Sequence, residues 1–251
     1  DKVEKDGVQH IQGLVNSVSN LHWAGGTARP RYFQMRGIGE RSQYAGEGPP
    51  NFSVGFVVDG IDLSGLGTGA LFDLQQVEVF KGPQSSAFGA NALAGLINVQ
   101  SAEASSTAER TFRLGMGGDG LLRMEGVLNQ PINDRLALRA SFQSARSNGF
   151  RENVFLDAED SNKRLEESLR LKMRYVAPSG LLLKGALFRV DADNGYDMWA
   201  PDNNEELFTY TNQPGDDHQT TTAASIRAEK LFTNSLNVIS ISTYSQTDLD
   251  Y

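Results

Sequence analysis

Cysteine is absent from this chain of 251 residues. Its absence excludes disulfide bonds, thiolate metal sites and a cysteine nucleophile. Long apolar runs are absent too, since no stretch approaches the ~18 residues that a transmembrane helix needs. A helical membrane protein is therefore excluded. A membrane β-barrel is not, because its strands need only about 9–11 residues of alternating pattern.

Positive charge is scarce: 23 Lys and Arg residues stand against 31 Asp and Glu residues, for a formal net charge of −8. No run of Lys or Arg occurs, so we expect no nucleic-acid partner. The opening residues, DKVEKDG, lack the apolar segment of a signal peptide. If the protein is exported, we expect its precursor to begin before Asp1.

Catalytic motifs are also missing. The glycines of GMGGDG (residues 115–120) match the spacing of a dinucleotide-binding loop, but the residues after them alternate as a strand and open no helix. The sequence contains no phosphate-binding P-loop and no G-x-S-x-G nucleophile elbow. The three histidines lie far apart and lack metal-ligand spacing: His10, His22 and His218. We therefore predict a protein that is not an enzyme, with no cofactor and no metal site.

One acidic stretch leaves calcium open as an alternative. DADNGYD (residues 191–197) offers three carboxylates and an amide oxygen on a turn. Gly195 stands where an EF-hand loop would need an oxygen ligand, so solvated charge is the expected role.

The second half of the chain alternates between apolar and polar residues, which predicts strands with one dry and one wet face. In residues 135–143, for example, Leu136, Leu138 and Phe142 alternate with Arg139 and other polar residues. The pattern predicts seven strands, at residues 110–118, 120–130, 134–146, 165–177, 180–192, 218–231 and 235–248.

The connections between these strands differ in length. QPIND, APSG and FTNS read as tight turns, whereas residues 147–163 and 193–217 form long acidic links. In an up-and-down sheet the tight turns then share one edge and the long links the other, as in outer-membrane barrels. A water-soluble sandwich or barrel is the alternative. It would turn its apolar face inward, and its loops need not segregate by edge.

Three segments of the first half resemble a known family. They are MRGIG (residues 35–39), VGFVVDGIDLSG (residues 54–65) and LFDLQQVEVFKGPQSSAFGANALAGLINVQS (residues 71–101). The plug domain of TonB-dependent outer-membrane receptors has an R-G motif, a V-D-G strand, a V-E-V segment ending in Lys or Arg before Gly-Pro, and a G-x-I-N strand in this order. The resemblance covers most of residues 7–101.

The resemblance implies a mainly β fold: a small α+β plug with a mixed four-stranded sheet, then an antiparallel transmembrane β-barrel. About 22 strands are expected in the full protein and only about seven here, too few to close a barrel. We therefore expect the chain to be part of a longer protein, with the plug at residues 1–107 and the N-terminal part of the barrel at 108–251. No TonB-contacting segment is recognisable before residue 7.

The function implied by the resemblance is TonB-driven uptake of a scarce nutrient across the bacterial outer membrane, with a ferric siderophore as the first choice. The implied partners are TonB, this small-molecule ligand, and the lipid and lipopolysaccharide of the outer membrane. A receptor of the same fold for an oligosaccharide or cobalamin is one alternative. A soluble, β-rich glycan-binding module or enzyme of the envelope is another.

Two groups of candidate site residues follow from the resemblance. Arg36 and Lys81 match cations that seat the plug against glutamates of the barrel wall. Arginine is also common at the position of Lys81, and it forms bidentate pairs with carboxylates, which lysine does not. The candidate ligand-binding residues lie on plug apices and in a long loop: Arg41, Gln43, Tyr44, Ser64, Thr68, Phe72 and Trp199.

Overall fold

The computed structural model describes residues 11–25, 31–40, 52–66, 72–88, 91–197, 200–213, 215–233 and 236–250. The chain divides into two compact units, Asp1–Ala102 and Glu103–Tyr251. The plug boundary predicted from the sequence, after residue 107, stays a prediction.

The first unit contains short helices and strands. In chain order they are α1 (Ile11–Ser17), β1 (Leu21–Ala24), β2 (Tyr32–Met35), β3 (Val54–Val58), β4 (Ile61–Asp62), β5 (Leu74–Lys81), α2 (Ser85–Phe88) and β6 (Gly95–Ser101). Strands β1 and β2 pair antiparallel. The other four form a sheet in the order β4-β3-β6-β5, in which β3 and β6 are parallel and the outer pairs are antiparallel. The predicted mixed four-stranded sheet is confirmed.

The core of this unit surrounds the two central strands. Every residue of β3 is buried, as are Leu96, Ile97 and Val99 of β6. Such near-continuous apolar runs are typical of strands covered on both faces. Helix α1 contributes Ile11 and Val15, which lie one turn apart and are both buried.

The second unit is an antiparallel sheet. Its long strands are β7 (Glu109–Met116), β8 (Leu122–Pro131), β9 (Leu136–Ser147), β11 (Arg164–Val176), β12 (Leu182–Gly195), β14 (Asp216–Thr233) and β15 (Leu236–Asp250). Each pairs with the next in chain order, in one seven-stranded sheet of the described residues. The seven predicted strands are therefore confirmed. The sequence did not predict β10 (Glu152–Asn153) and β13 (Phe208–Thr209), a short parallel pair within the long links.

The two faces of this sheet are inverted relative to a soluble protein. In β8, Leu128 is 47% exposed while Asn129 is fully buried. In β9 and β11, Leu138 and Leu171 are likewise exposed, while their neighbours Arg139 and Lys172 are buried. Some apolar side chains are buried as well: Val127 of β8, Ala137 of β9, Ala223 of β14, and Ala186, Phe188, Val190 and Ala192 of β12. An exposed apolar face matches a lipid-facing barrel wall and not the soluble alternative.

Candidate functional site

Two of the family motifs form the same kind of turn. Arg36 and Gly37 have φ angles of 54° and 80°, and Asp59 and Gly60 have φ angles of 51° and 83°. The first pair joins Met35 to Ile38, which exchange two backbone hydrogen bonds of 2.8 and 3.0 Å. The second pair joins β3 to β4. Positive φ at both central residues defines the tight hairpin turn that favours glycine at its second position.

The aspartate of V-D-G also ties two distant strands together. Its carboxylate accepts hydrogen bonds from the Ser101 amide (2.9 Å) and the Ser101 hydroxyl (2.6 Å). Its own amide donates to the Val99 carbonyl at 2.9 Å. Asp59 therefore fixes the β3–β4 turn against the last residue of β6.

The V-E-V and I-N motifs meet across strands β5 and β6. Glu78 and Asn98 are register partners, and Asn98 Nδ2 donates to Glu78 Oε2 at 2.9 Å. Asn98 is buried, so the carboxylate satisfies an amide that would otherwise lose its hydrogen bond to water. This pairing was not visible in the sequence, because it depends on strand register.

The glycine before I-N is required by close packing. A Cβ at Gly95 would collide with Met35 Sδ and would lie 2.5 Å from the carbonyl oxygen of Phe80. Only glycine lets β6 begin at this position. The family motifs are thus explained by turns and packing of the plug sheet.

The two predicted anchors are both accessible in this unit. Arg36 is exposed, and its amide donates to the Asn20 carbonyl at 2.9 Å. Lys81 is partly exposed, and its Nζ donates to Ser19 Oγ at 3.1 Å. Their pairing with glutamates of a barrel wall stays a prediction.

Two of the predicted ligand residues lie within the described structure. Ser64 Oγ accepts from the Phe56 amide at 2.9 Å and donates to Asp62 Oδ1 at 2.6 Å. Asp62 Oδ2 in turn accepts from Asn91 Nδ2 at 2.9 Å. Phe72 is 8% exposed. The remaining candidates, Arg41, Gln43, Tyr44, Thr68 and Trp199, lie outside the described residues, and the ligand role of all seven stays a prediction.

The two long links of the second unit are joined through one buried carboxylate, Asp197, which is 4% exposed. Its oxygens accept hydrogen bonds from Asn153 Nδ2 (2.9 Å), Ser161 Oγ (2.8 Å), Thr209 Oγ1 (2.5 Å) and Thr211 Oγ1 (2.9 Å). The donors come from both links: Asn153 and Thr209 belong to the β10–β13 pair, and Ser161 and Thr211 follow these two strands in the chain. The carboxylate therefore organises this region as a single unit.

The carboxylates of DADNGYD do not converge on one ion. Asp191 accepts two hydrogen bonds from Arg189, of 2.7 and 2.8 Å. Asp193 lies 3.3 Å from Lys163 Nζ, and Asp197 is the carboxylate described above. The three side chains have separate partners, which argues against the calcium alternative at this stretch.

A different cluster brings three possible metal-binding side chains together. The ligand atoms of Asp193, Asp216 and His218 lie within 4.8 Å of one another, beside a pocket of about 310 Å³. His218 Nδ1 is 3.4 Å from Asp193 Oδ1, and Lys163 approaches the same oxygen. Ion pairing accounts for this arrangement without a metal.

Within the described residues, the structure has no helix of the length and apolarity needed to cross a membrane. Residues 1–96 match the family model of the TonB-dependent receptor plug domain. The vitamin B12 transporter BtuB of Vibrio vulnificus (strain YJ016) is 25% identical over 126 residues, which cover 47% of this chain and 21% of that protein.

Solved structures resemble nearly the whole chain. The ferric yersiniabactin uptake receptor FyuA from Yersinia pestis matches with a TM-score of 0.86 and 19% identity, over 98% of this chain and 39% of that one. The ferric-catecholate import receptor Fiu from E. coli K12, in its open form, has a TM-score of 0.76 and 17% identity, over 98% and 37%. The pyoverdine outer-membrane receptor FpvA from Pseudomonas aeruginosa PAO1 has a TM-score of 0.77 and 15% identity, over 98% and 36%.

A mixed plug sheet followed in the chain by an antiparallel sheet with an exposed apolar face is typical of the class of TonB-dependent receptors. Residues 1–96 are a TonB-dependent receptor plug domain, and the chain as a whole has the fold of a plug with part of the barrel of such receptors. It spans about a fifth of BtuB and less than two fifths of FyuA. The similar proteins are transporters and receptors, which agrees with the prediction that the chain is not an enzyme.

Proposed function

We propose that this chain is the plug (residues 1–107) and the first barrel strands (residues 108–251) of an active transporter of the bacterial outer membrane. The observation that carries the proposal is the inverted sheet of the second unit, with exposed leucines and buried polar neighbours. Such a wall is stable with lipid outside and a polar interior. TonB would supply the energy by rearranging the plug.

Ligand capture is assigned to the edge of the sheet that carries the long links. The four hydrogen bonds to Asp197 hold both links in one arrangement before a ligand arrives. Preorganisation of this kind lowers the entropy cost of binding. The proposed ligand residues lie on plug apices and in the second long link: Arg41, Gln43, Tyr44, Ser64, Thr68, Phe72 and Trp199.

The proposed cargo is a ferric siderophore. Three structurally similar receptors carry ferric yersiniabactin, ferric catecholate or pyoverdine in their names. Cobalamin is the second candidate, because a relative similar in sequence is a vitamin B12 transporter. An oligosaccharide is the remaining alternative of the same fold.

A strain from which the gene is deleted tests the cargo. It is grown under iron limitation and fed ⁵⁵Fe-loaded siderophores one at a time, with ⁵⁷Co-cyanocobalamin as a parallel arm. We expect uptake of one siderophore to fall to background, to return with the wild-type gene, and to be lost without TonB. Unchanged uptake of every siderophore together with lost cyanocobalamin uptake would replace the first cargo with the second.

The soluble envelope protein remains the contrasting hypothesis. We expect extraction only with detergent and a band on gels that shifts on heating, as lipid-embedded barrels require closed backbone pairing. A monodisperse protein in buffer without detergent would contradict the outer-membrane assignment.

The anchoring role of Lys81 is tested by Lys81→Glu. The substitution reverses the charge that we propose to pair with barrel-wall glutamates, and like charges at short range repel. We expect greater protease sensitivity of residues 72–88 and reduced uptake. Arg135→Glu, at an exposed position in a tight turn, is the control. If Lys81→Glu behaves like this control in both measurements, Lys81 is not an anchor.

A further inference from the structure

The segment directly after the first unit, Glu103–Thr107, is fastened to the sheet of the second unit. Asn129 of β8 is fully buried, and its side chain makes several hydrogen bonds to this segment. Its Oδ1 accepts from the Ser105 amide at 3.0 Å, and its Nδ2 donates to the carbonyls of Ser105 (2.9 Å) and Thr107 (2.6 Å). One side chain therefore holds three backbone groups of a segment that has no strand pairing of its own.

Asn129 belongs to a polar row that crosses four strands. In register, Glu109 of β7 faces Asn129, Asn129 faces Arg139 of β9, and Arg139 faces Lys172 of β11. Arg139 Nη1 donates to Glu109 Oε2 at 2.8 Å. Arg139 and Lys172 are 6% and 7% exposed. The row thus places Asn129 between the carboxylate of Glu109 on one side and two adjacent buried cations, Arg139 and Lys172, on the other.

Glu103 completes this row from the segment itself. Its carboxylate lies 2.9 Å from Lys172 Nζ and 3.3 Å from Lys184 Nζ of β12. A buried ammonium group needs a close carboxylate, because the loss of one partner leaves a charge without compensation at a cost far above that of a surface pair. Glu103 and Asn129 therefore hold opposite ends of the same short segment.

The hydrogen-bond and ion-pair partners of the chain change from the first unit to the second between Ala102 and Glu103. The amide of Ala102 donates to the Asp73 carbonyl, within the first unit, at 2.9 Å. The next residue, Glu103, pairs with lysines of the second unit.

We propose that Glu103, Asn129 and Lys172 are positioning residues that clamp residues 103–107 to the sheet, so that displacement of the plug ends at the Ala102–Glu103 peptide. Residues 103–107 stay bound to the sheet during transport and are not a flexible linker. The proposal rests on the proposed transport function only for its consequence, which is that TonB pulls on residues before Glu103 while those after it keep their contacts.

Hydrogen exchange tests the clamp without ligand or TonB. The protein is measured in purified outer membranes, and the peptide that contains residues 103–107 is followed. Ser105 is exposed, yet its amide bonds Asn129, so we expect slow exchange in the wild type and about tenfold faster exchange in Asn129→Ala. Asn237→Ala removes an exposed side-chain bond to Glu229 on β14 and is expected to change nothing in this peptide.

Exchange of Ser105 at the rate of an open chain in the wild type, or no acceleration in Asn129→Ala, would overturn the clamp. If Asn129→Ala does not assemble, Glu103→Gln replaces it, since loss of its charge weakens the pair with Lys172 and should accelerate exchange of the same peptide.

A disulfide tests the consequence for transport. Ser105→Cys with Asn129→Cys introduces a pair into a chain that has no other cysteine, and oxidation makes the contact covalent. We expect uptake of the ⁵⁵Fe-siderophore identified above to stay within twofold of its reduced value. Loss of uptake on oxidation, restored on reduction, would show that the segment must separate from the sheet during transport, which contradicts the proposal. If the wild type transports neither a siderophore nor cyanocobalamin, the transport proposal fails, while the exchange result still decides whether the clamp exists.

Discussion

At the scale of single residues, Asp59 of the V-D-G motif has a structural role, because it connects two distant parts of the plug sheet. Its two bonds to Ser101 connect positions 42 residues apart. The sequence identified V-D-G as a signature, and D-G flanked by apolar residues is itself a hairpin signal. The partner of the carboxylate was not predictable, because only the parallel pairing of β3 with β6 brings Ser101 to this turn.

Asp59→Ala tests this connection. We expect the amide of Ser101 to exchange faster by an amount equivalent to ~1–3 kcal/mol, since a buried donor loses its acceptor. Asn20→Ala is the matched control, because Asn20 also has a positive φ (61°) and an exposed side chain, so it carries the same backbone cost. Equal effects of the two variants in hydrogen exchange of residues 95–101 would assign the effect to backbone strain.

At the scale of elements, the long strands were predictable and the short ones were not. Alternation over eight or more residues located every long strand of the second unit, with bounds shifted by a few residues. Strands β10 and β13 have two residues each and lie more than 50 positions apart, so no local pattern marks them. Their pairing follows from Asp197 and its donors in both links.

Asp197→Ala tests the joining of the two links. We expect residues 152–162 and 208–213 to become sensitive to protease together, because four hydroxyl and amide donors lose a shared acceptor. Strands β8, β9, β11 and β12 should keep their protection. Asp202→Ala, which removes an exposed carboxylate bonded to Asn204, serves as the control. Cleavage in one link alone would show that the links are held independently.

At the scale of the whole molecule, the orientation of the sheet distinguishes a membrane wall from a soluble sandwich. The sequence showed that each strand has an apolar and a polar face. It did not show which face is covered. The structure leaves Leu128, Leu138 and Leu171 exposed and buries their polar neighbours.

Leu171→Arg tests this orientation. Leu171 lies near the middle of β11 and is 42% exposed, so in lipid the arginine should cost ~2–4 kcal/mol of unfolding free energy. Ile132→Arg, at an exposed position in a tight turn, should cost about 0–1 kcal/mol. Urea unfolding in liposomes, followed by the heat-shifted gel band, measures both. Equal and small costs would indicate that water covers this face.

The sequence by itself determined the strand pattern, the unequal connections, the lack of catalytic motifs and the ordered plug signatures, because each depends on residues close together in the chain. The tertiary structure alone decided which residues meet across long separations: Asp59 with Ser101, Glu78 with Asn98, both links at Asp197, and Glu103 with Lys172. These contacts depend on strand register and sheet order. A shift of one residue turns every side chain of a strand to the opposite face, so no local pattern can specify them.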